Sequence, residues 1–233
     1  MSFRLGGIPP SVQSKGNVMQ LEIIGLDEVR HNSRKKPVIT AGKLTGQKPA
    51  LKMKEVWSIR ARLEISNNVR DLALFNMAID SKLRGCDLVR LIVSDVAVGG
   101  EMKARGAIIQ KKTGRPVQFE ITEATRRSTA ALLERASFED DDFLFKSRLT
   151  ESPHLSTRQY ARIVQGWVSS IGLNPATYGT HSLRRTKAAQ IYRKTGNLRA
   201  VQLLLGHSKL ESTVRYLGVE VDDALAISEA VDL

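Results

Sequence analysis

Four polar residues near the C-terminal end are spaced as reactive groups would need to be. His181 and Arg184 stand three residues apart in THSLRRT (180–186), so on a helix they share one face. His207 follows in LLLGHS (203–208), and Tyr216 comes nine residues later in STVRYLG (212–218). Arginine presents a planar fork that holds a phosphate through two parallel bonds and stays charged. Histidine carries protons near neutral pH. A tyrosine hydroxyl becomes a nucleophile once its proton, with a pKa of about 10, is removed. No carboxylate cluster accompanies the arginines, so a metal nuclease has no support. The single cysteine, Cys86, builds neither a disulfide framework nor a Cys-rich metal site. It reads as a small core residue, and nothing in the pattern calls for a metal or cofactor.

These residues must be held by helices. The spacing predicts helices at 123–137, 156–171, 182–194, 198–205 and 209–215. Their punctuation is clear: Gly196 suits a helix end, Asn197 the next N-cap and Gly206 the following end. Ser208-Lys209-Leu210-Glu211 has the pattern of a capping box. Upstream, Lys52 to Ile65 reads as a helix with Met53, Val56, Trp57, Ile59 and Leu63 on its apolar side. Asn68 caps a second helix, running through Asp80, that buries Leu72, Leu74, Phe75 and Ile79. A short third helix follows Arg84, and residues 92–98 read as β-rich. AIIQKKTGRPVQFEIT (107–122) places two β-rich runs around Thr113-Gly114, a hairpin signal. Pro116 cannot donate to a ladder, so its strand is expected at an edge. The fold class is mainly α with a small antiparallel β-sheet.

Charge bounds the partner. The 233 residues carry a formal net charge of +12, and a strongly basic domain usually meets a polyanion, most often nucleic acid. Only 5% of residues are aromatic, which counts against stacking on single-stranded bases. Residues 1–60 hold eleven Lys or Arg against four acids. Residues 1–50 therefore read as a flexible basic arm and 51–233 as the folded domain. After Tyr216, residues 217–233 hold five acids and no base, and a tail helix is expected from about 219. No apolar run approaches the roughly 20 residues of a membrane span, and the N-terminus lacks a signal-peptide core. The expected compartment is the cytoplasm, with nucleoid association.

The order H-x-x-R, then G-H, then a tyrosine resembles the C-terminal half of the tyrosine recombinase (phage integrase) family. Lys82-Leu83-Arg84-Gly85-Cys86-Asp87-Leu88 is similar to the element carrying that family's first arginine, with Lys82 departing from a common glycine. Lys112-Thr113-Gly114 resembles its hairpin lysine element. The resemblance covers about residues 52–233 and implies the tyrosine recombinase catalytic-domain fold, in a short form without the usual N-terminal core-binding domain.

It also implies a reaction. Tyr216 would attack a DNA phosphodiester, giving a 3′-phosphotyrosyl link and a free 5′-hydroxyl. Arg84 and Arg184 would clamp the phosphate, with His207 as a further donor. His181 is the candidate base and Lys112 the candidate acid. Strand alternation alone does not separate Lys112 from Lys111; the Lys-Thr-Gly match favours Lys112. Asp87 would orient an arginine or histidine. Lys111, Arg115, Arg185 and Lys187 are candidate DNA contacts. The expected activity is site-specific recombination of double-stranded DNA by a homo-tetramer on paired sites, with accessory DNA-bending proteins as possible partners. A type IB topoisomerase-like enzyme and a non-catalytic DNA-binding regulator of the same fold remain open alternatives. One spacing adds a constraint. At a rise of about 1.5 Å per residue, Ser208 to Tyr216 would span about 12 Å of unbroken helix, so a break is expected between about 212 and 216.

Overall fold

The computed structural model describes residues 47–148, 152–218 and 229. The basic arm, up to residue 46, and the tail expected from about 219 lie outside the described residues, Glu229 excepted. The helices are α1 (Met53–Ile65), α2 (Val69–Ser81), α3 (Gly85–Leu88), α4 (Val93–Val96), α5 (Glu123–Glu134), α6 (Thr157–Ser170), α7 (Thr180–Thr195), α8 (Leu198–Leu205) and α9 (Leu210–Leu217). The strands are β1 (Ala97–Val98), β2 (Glu101–Met102), β3 (Arg105–Ile109) and β4 (Pro116–Glu120). They form two separate antiparallel pairs, β1 with β2 and β3 with β4. The mainly helical class therefore stands, with two small sheets in place of one.

The central element is α2. Asn68 Oδ1 accepts from the Asp71 amide at 3.3 Å, the cap its sequence implied. Ala73 through Ile79 are all buried, so no face of the helix is left for water, and it packs on α1, α5 and α7. On α1, Val56, Ile59 and Leu63 point into this core, but Met53 and Trp57 are 48% and 61% exposed. Their apolar character does not mark the buried face. The reading of 92–98 as β-rich is also corrected. Its first part is the one-turn helix α4, where the Asp95 carboxylate accepts from the Ile92 amide at 3.0 Å. That local cap favours a turn over extension. Cys86 is only partly buried, not a core residue.

Beyond α2 a buried charge network fixes the chain reversal that presents Arg84. Lys82 ends the helix in the left-handed conformation, at φ 54°. Its fully buried ammonium donates to the Asp80 carbonyl and pairs with Glu120 at 2.8 Å. Lys187 of α7 bridges Asp80 at 2.6 Å and Glu120 at 2.8 Å. The Asp80 carboxylate also accepts from the Thr122 amide, the Thr122 hydroxyl and the Thr125 hydroxyl, anchoring the start of α5. Burial alone would raise the Asp80 pKa, but these donors outweigh it and hold it below the usual range. Paired and fully hydrogen-bonded, such charges are tolerable in a core, whereas removal of one partner is strongly destabilising.

A second, smaller apolar cluster of Ala188, Val201 and Leu205 joins α7 and α8, with Ile191, Tyr192, Tyr216 and Leu217 packed against it. It seats α9, and so Tyr216, on the rest of the domain.

Candidate active site

Three segments converge beside Tyr216. Arg84 is the N-cap of α3, and its Nη1 donates to Gln110 Oε1 at 2.5 Å. The β3–β4 turn is tied down by the Lys111 amide donating to Asp87 Oδ1 at 2.9 Å and by the Gly114 amide donating to the Gln110 carbonyl at 2.8 Å. Lys112 stands at this turn, exposed, on a cleft it shares with Arg84, Cys86, Thr180 and His181. Lys111 does not line that cleft. Asp87 thus holds the hairpin, rather than orienting an arginine or histidine through a hydrogen bond.

Arg184 enters from α7 and is 3% exposed. Its Nη2 donates to the Leu205 carbonyl at 2.8 Å, while Nη1 is buried without a hydrogen-bond partner among the described residues. The guanidinium carbon lies 5.8 Å from the Tyr216 ring centroid. Arg185 stacks closer, at 4.7 Å, and reaches back to the Lys48 carbonyl and Gln47 Oε1. Arg185 is thus largely buried against Tyr216 and the entering chain. Arg115 is exposed at the hairpin, where a DNA contact was expected. Lys187 does not fit the same expectation, because its ammonium is committed to Asp80 and Glu120.

Tyr216 sits on α9, which runs unbroken from Leu210 to Leu217. The expected break is absent. His207 precedes the helix, and its side chain folds along it: Nδ1 lies 3.0 Å from Thr213 Oγ1. Thr213 and Tyr216, three apart, share a helix face, so the His207 and Tyr216 rings meet edge to face at 5.4 Å. A side chain spans what the backbone rise had seemed to forbid. The capping box also fails to form, since the N-cap is Lys209 and lacks a side-chain cap bond. The Tyr216 hydroxyl donates to the His181 main-chain carbonyl at 3.4 Å, not to its imidazole.

Electrostatics follow from this crowding. Burial raises the Tyr216 pKa, and Arg184 and Arg185 pull against it without winning. Desolvation, then Arg184, Arg185, Arg84 and Lys112, lower that of His181. His207 is driven down to about 4, by desolvation first and then by Arg184 and Arg84. Both imidazoles are therefore neutral at pH 7. Unfolding returns His207 to an ordinary value near 6.5, so between about 4 and 6.5 the unfolded chain binds the extra proton. His207 thus contributes stability that is complete above about pH 6.5 and is lost as pH falls toward 4. Urea midpoints measured from pH 7 to pH 4 should fall less steeply in His207→Gln than in the parent.

Two groups were missed in the sequence: the Gln110 side chain and the Leu205 carbonyl, which meet Arg84 and Arg184. A carbonyl leaves no sequence signal, and Gln110 looked like any residue at a strand end. Gly206, which closes α8 at φ 64°, has no room for a side chain, since a Cβ would lie 2.5 Å from Val117 Cγ2. Gly206→Ala should cost about 1–3 kcal/mol from strain and overpacking, read by equilibrium urea unfolding. Among the described residues no group of three or more His, Cys, Asp or Glu is placed to hold a metal ion, and no helix is long and apolar enough to cross a membrane.

Comparison with known proteins gives one consistent answer. The sequence model described as the phage integrase family matches residues 49–222. The probable integrase/recombinase YoeC of Bacillus subtilis (strain 168) is 29% identical over 178 residues, 76% of this chain and 93% of that protein. Tyrosine recombinase XerC of Chromobacterium violaceum is 30% identical over 66% of this chain. The chain spans about half the length of that relative, 49%. Among solved structures, XerA recombinase aligns with a TM-score of 0.65 at 20% identity, over 79% of this chain and 65% of its own. A lambda integrase dimer bound to a COC′ core site aligns at 0.56 and 21%, over 80% and 51%. The fold is that of tyrosine recombinase catalytic domains, and the chain belongs to the phage integrase family of tyrosine recombinases.

Proposed function

We propose that the protein carries out site-specific recombination of double-stranded DNA, by tyrosine-mediated strand cleavage and rejoining. One observation carries this reading more than any other. A buried arginine, Arg184, keeps Nη1 unpaired beside Tyr216, with further cations around it and one nearby carboxylate, Asp87, whose Oδ1 takes the hairpin amide and whose Oδ2 makes no hydrogen bond to Arg184. Burying an unpaired donor is costly, and a phosphate oxygen would satisfy it.

In the proposed step, Tyr216 Oη attacks the phosphorus and the P–O5′ bond breaks. Arg84 and Arg184 hold the non-bridging oxygens, where charge builds in the transition state; fixed donors aimed at such charge are usually the largest catalytic contribution. His181 takes the phenolic proton, a role its lowered pKa at neutral pH permits. A Thr213 hydroxyl donating to His207 Nδ1 leaves the ring proton on Nε2, free for the phosphate. Lys112, on the cleft with Arg84 and His181, protonates the leaving 5′-oxygen. Attack by a 5′-hydroxyl from a partner strand reverses the step. No external energy source is needed, because the phosphotyrosyl bond retains the energy of the bond that was broken. Exposed Lys111 and Arg115 meet the DNA backbone. Arg185 is better cast as support for the Tyr216 ring.

Exchange between two duplexes requires four protomers. Related structures bear on the partner: one is described as XerH site-specific recombinase bound to a palindromic difH substrate, another as a lambda integrase dimer bound to a core site. The test has two stages. Duplexes enriched by binding from a randomised pool are placed twice in one supercoiled plasmid. Joined-site products that require both copies are the expected result. Relaxation of plasmids lacking the sites would support topoisomerase activity instead, and tight binding without either product would support a regulator.

A further inference from the structure

Gln110 directly follows β3 and is 1% exposed. Its side-chain oxygen accepts from Arg84 Nη1 at 2.5 Å and from the Thr113 hydroxyl at 2.9 Å. Its Nε2 donates to the Leu205 carbonyl at 3.4 Å, the same oxygen that anchors Arg184 at 2.8 Å. Its own carbonyl takes the Thr113 and Gly114 amides. One amide therefore touches the segment carrying Arg84, the turn carrying Lys112 and the end of α8 that leads into His207. We infer that Gln110 is a positioning residue, holding Arg84 and the Lys112 turn in register with Arg184. The inference rests on the strand-cleavage reading and names what aligns its clamp.

The residue type suits the task. Arginine has many rotamers, and fixing one geometry costs side-chain entropy; a rigid buried acceptor removes most of that cost before substrate arrives. A carboxylate would hold the guanidinium too, but it would neutralise the charge a phosphate needs. The amide orients the guanidinium and leaves its charge intact. A displacement of the clamp by about 1 Å would cost on the order of 100-fold in rate.

Two variants and two readouts test this. Gln110→Leu removes the acceptor. Gln110→Glu keeps it and adds a competing charge. The first readout is single-turnover covalent adduct formation on nicked DNA. The second is inorganic phosphate titration, followed by arginine Nε–H resonances in the free protein, which needs no DNA. The expected result is a loss of about 10- to 100-fold in adduct rate for Gln110→Leu, with duplex affinity close to the parent and a lowered Tm, because Thr113 and Arg84 lose a buried acceptor. Both variants should bind phosphate more weakly, including Gln110→Glu, whose fold retains the Arg84 contact. A purely structural role would leave phosphate affinity unchanged in folded Gln110→Leu, which adds no charge. Parental phosphate affinity and adduct rate in a folded variant overturn the inference. If the parent forms no adduct on any duplex, the strand-cleavage reading fails, and the titration still decides the positioning of Arg84.

Discussion

Arg184→Lys should lower the rate of DNA cleavage by about 100- to 1,000-fold, the usual consequence of removing one aimed donor from a transition state. The geometry explains why so conservative a change is severe. Nη2 is committed to the Leu205 carbonyl at 2.8 Å, and Nη1 is left for the ligand. Lysine offers one compact charge and cannot anchor at the carbonyl while also reaching the phosphate. If its ammonium takes the carbonyl, the phosphate loses its donor. If it turns to the phosphate, the Leu205 carbonyl keeps only the 3.4 Å contact from Gln110. Single-turnover cleavage of a nicked duplex measures the effect. A rate within about threefold of the parent would remove Arg184 from the clamp, since that change amounts to less than 1 kcal/mol.

Tyr216→Phe should abolish the covalent intermediate altogether while leaving the fold and DNA affinity nearly intact. The ring packs against the Ala188–Val201–Leu205 cluster and against His207, and phenylalanine preserves both contacts. Only the hydroxyl is lost; it makes a long contact, 3.4 Å to the His181 carbonyl, and interacts with the Arg184 guanidinium. Stability should change by no more than about 0.5 kcal/mol in either direction. The chemistry has no substitute, because the nucleophilic atom is gone. Arg185 gives a contrast. It stacks on the same ring and ties to Gln47 and Lys48, so Arg185→Gln should slow cleavage without eliminating it, read in the same single-turnover assay.

The helices were legible in the sequence because their signals are local. Asn68, Asn197, Gly196 and Gly206 each act within one turn, and each stands where its cap or stop is needed. The hairpin was legible for the same reason. Failures came where a local signal met a longer-range demand. Ser208 and Glu211 have capping-box spacing, yet the helix starts one residue later, while the His207 backbone is tied to Gln202 from both sides. Met53 and Trp57 match an apolar stripe, yet α1 turns Val56, Ile59 and Leu63 to the core. The residues proposed for chemistry were picked out by type and order, and the structure brings Arg84, Lys112, His181, Arg184, His207 and Tyr216 together. The polar groups that hold them were not legible. Gln110 and Asp87 act across 26 and 24 residues of sequence, and the carbonyl that seats Arg184 belongs to an apolar leucine. Lys187 misled for the opposite reason: in sequence a buried ion-pair lysine cannot be told from a solvated one.

The Tyr216 oxygen is the atom on which strand cleavage depends. A duplex nicked close to the cleavage position releases a short fragment on cleavage, so rejoining fails and the protein stays attached. Digesting that adduct and sequencing the DNA-linked peptide by mass spectrometry tests the claim most directly. A single linkage is expected, to the peptide containing Tyr216, through a 3′-phosphate and with a free 5′-hydroxyl on the other fragment. Linkage to Tyr160, Tyr178 or Tyr192, a 5′-phosphate attachment, or an adduct that survives in Tyr216→Phe would contradict it.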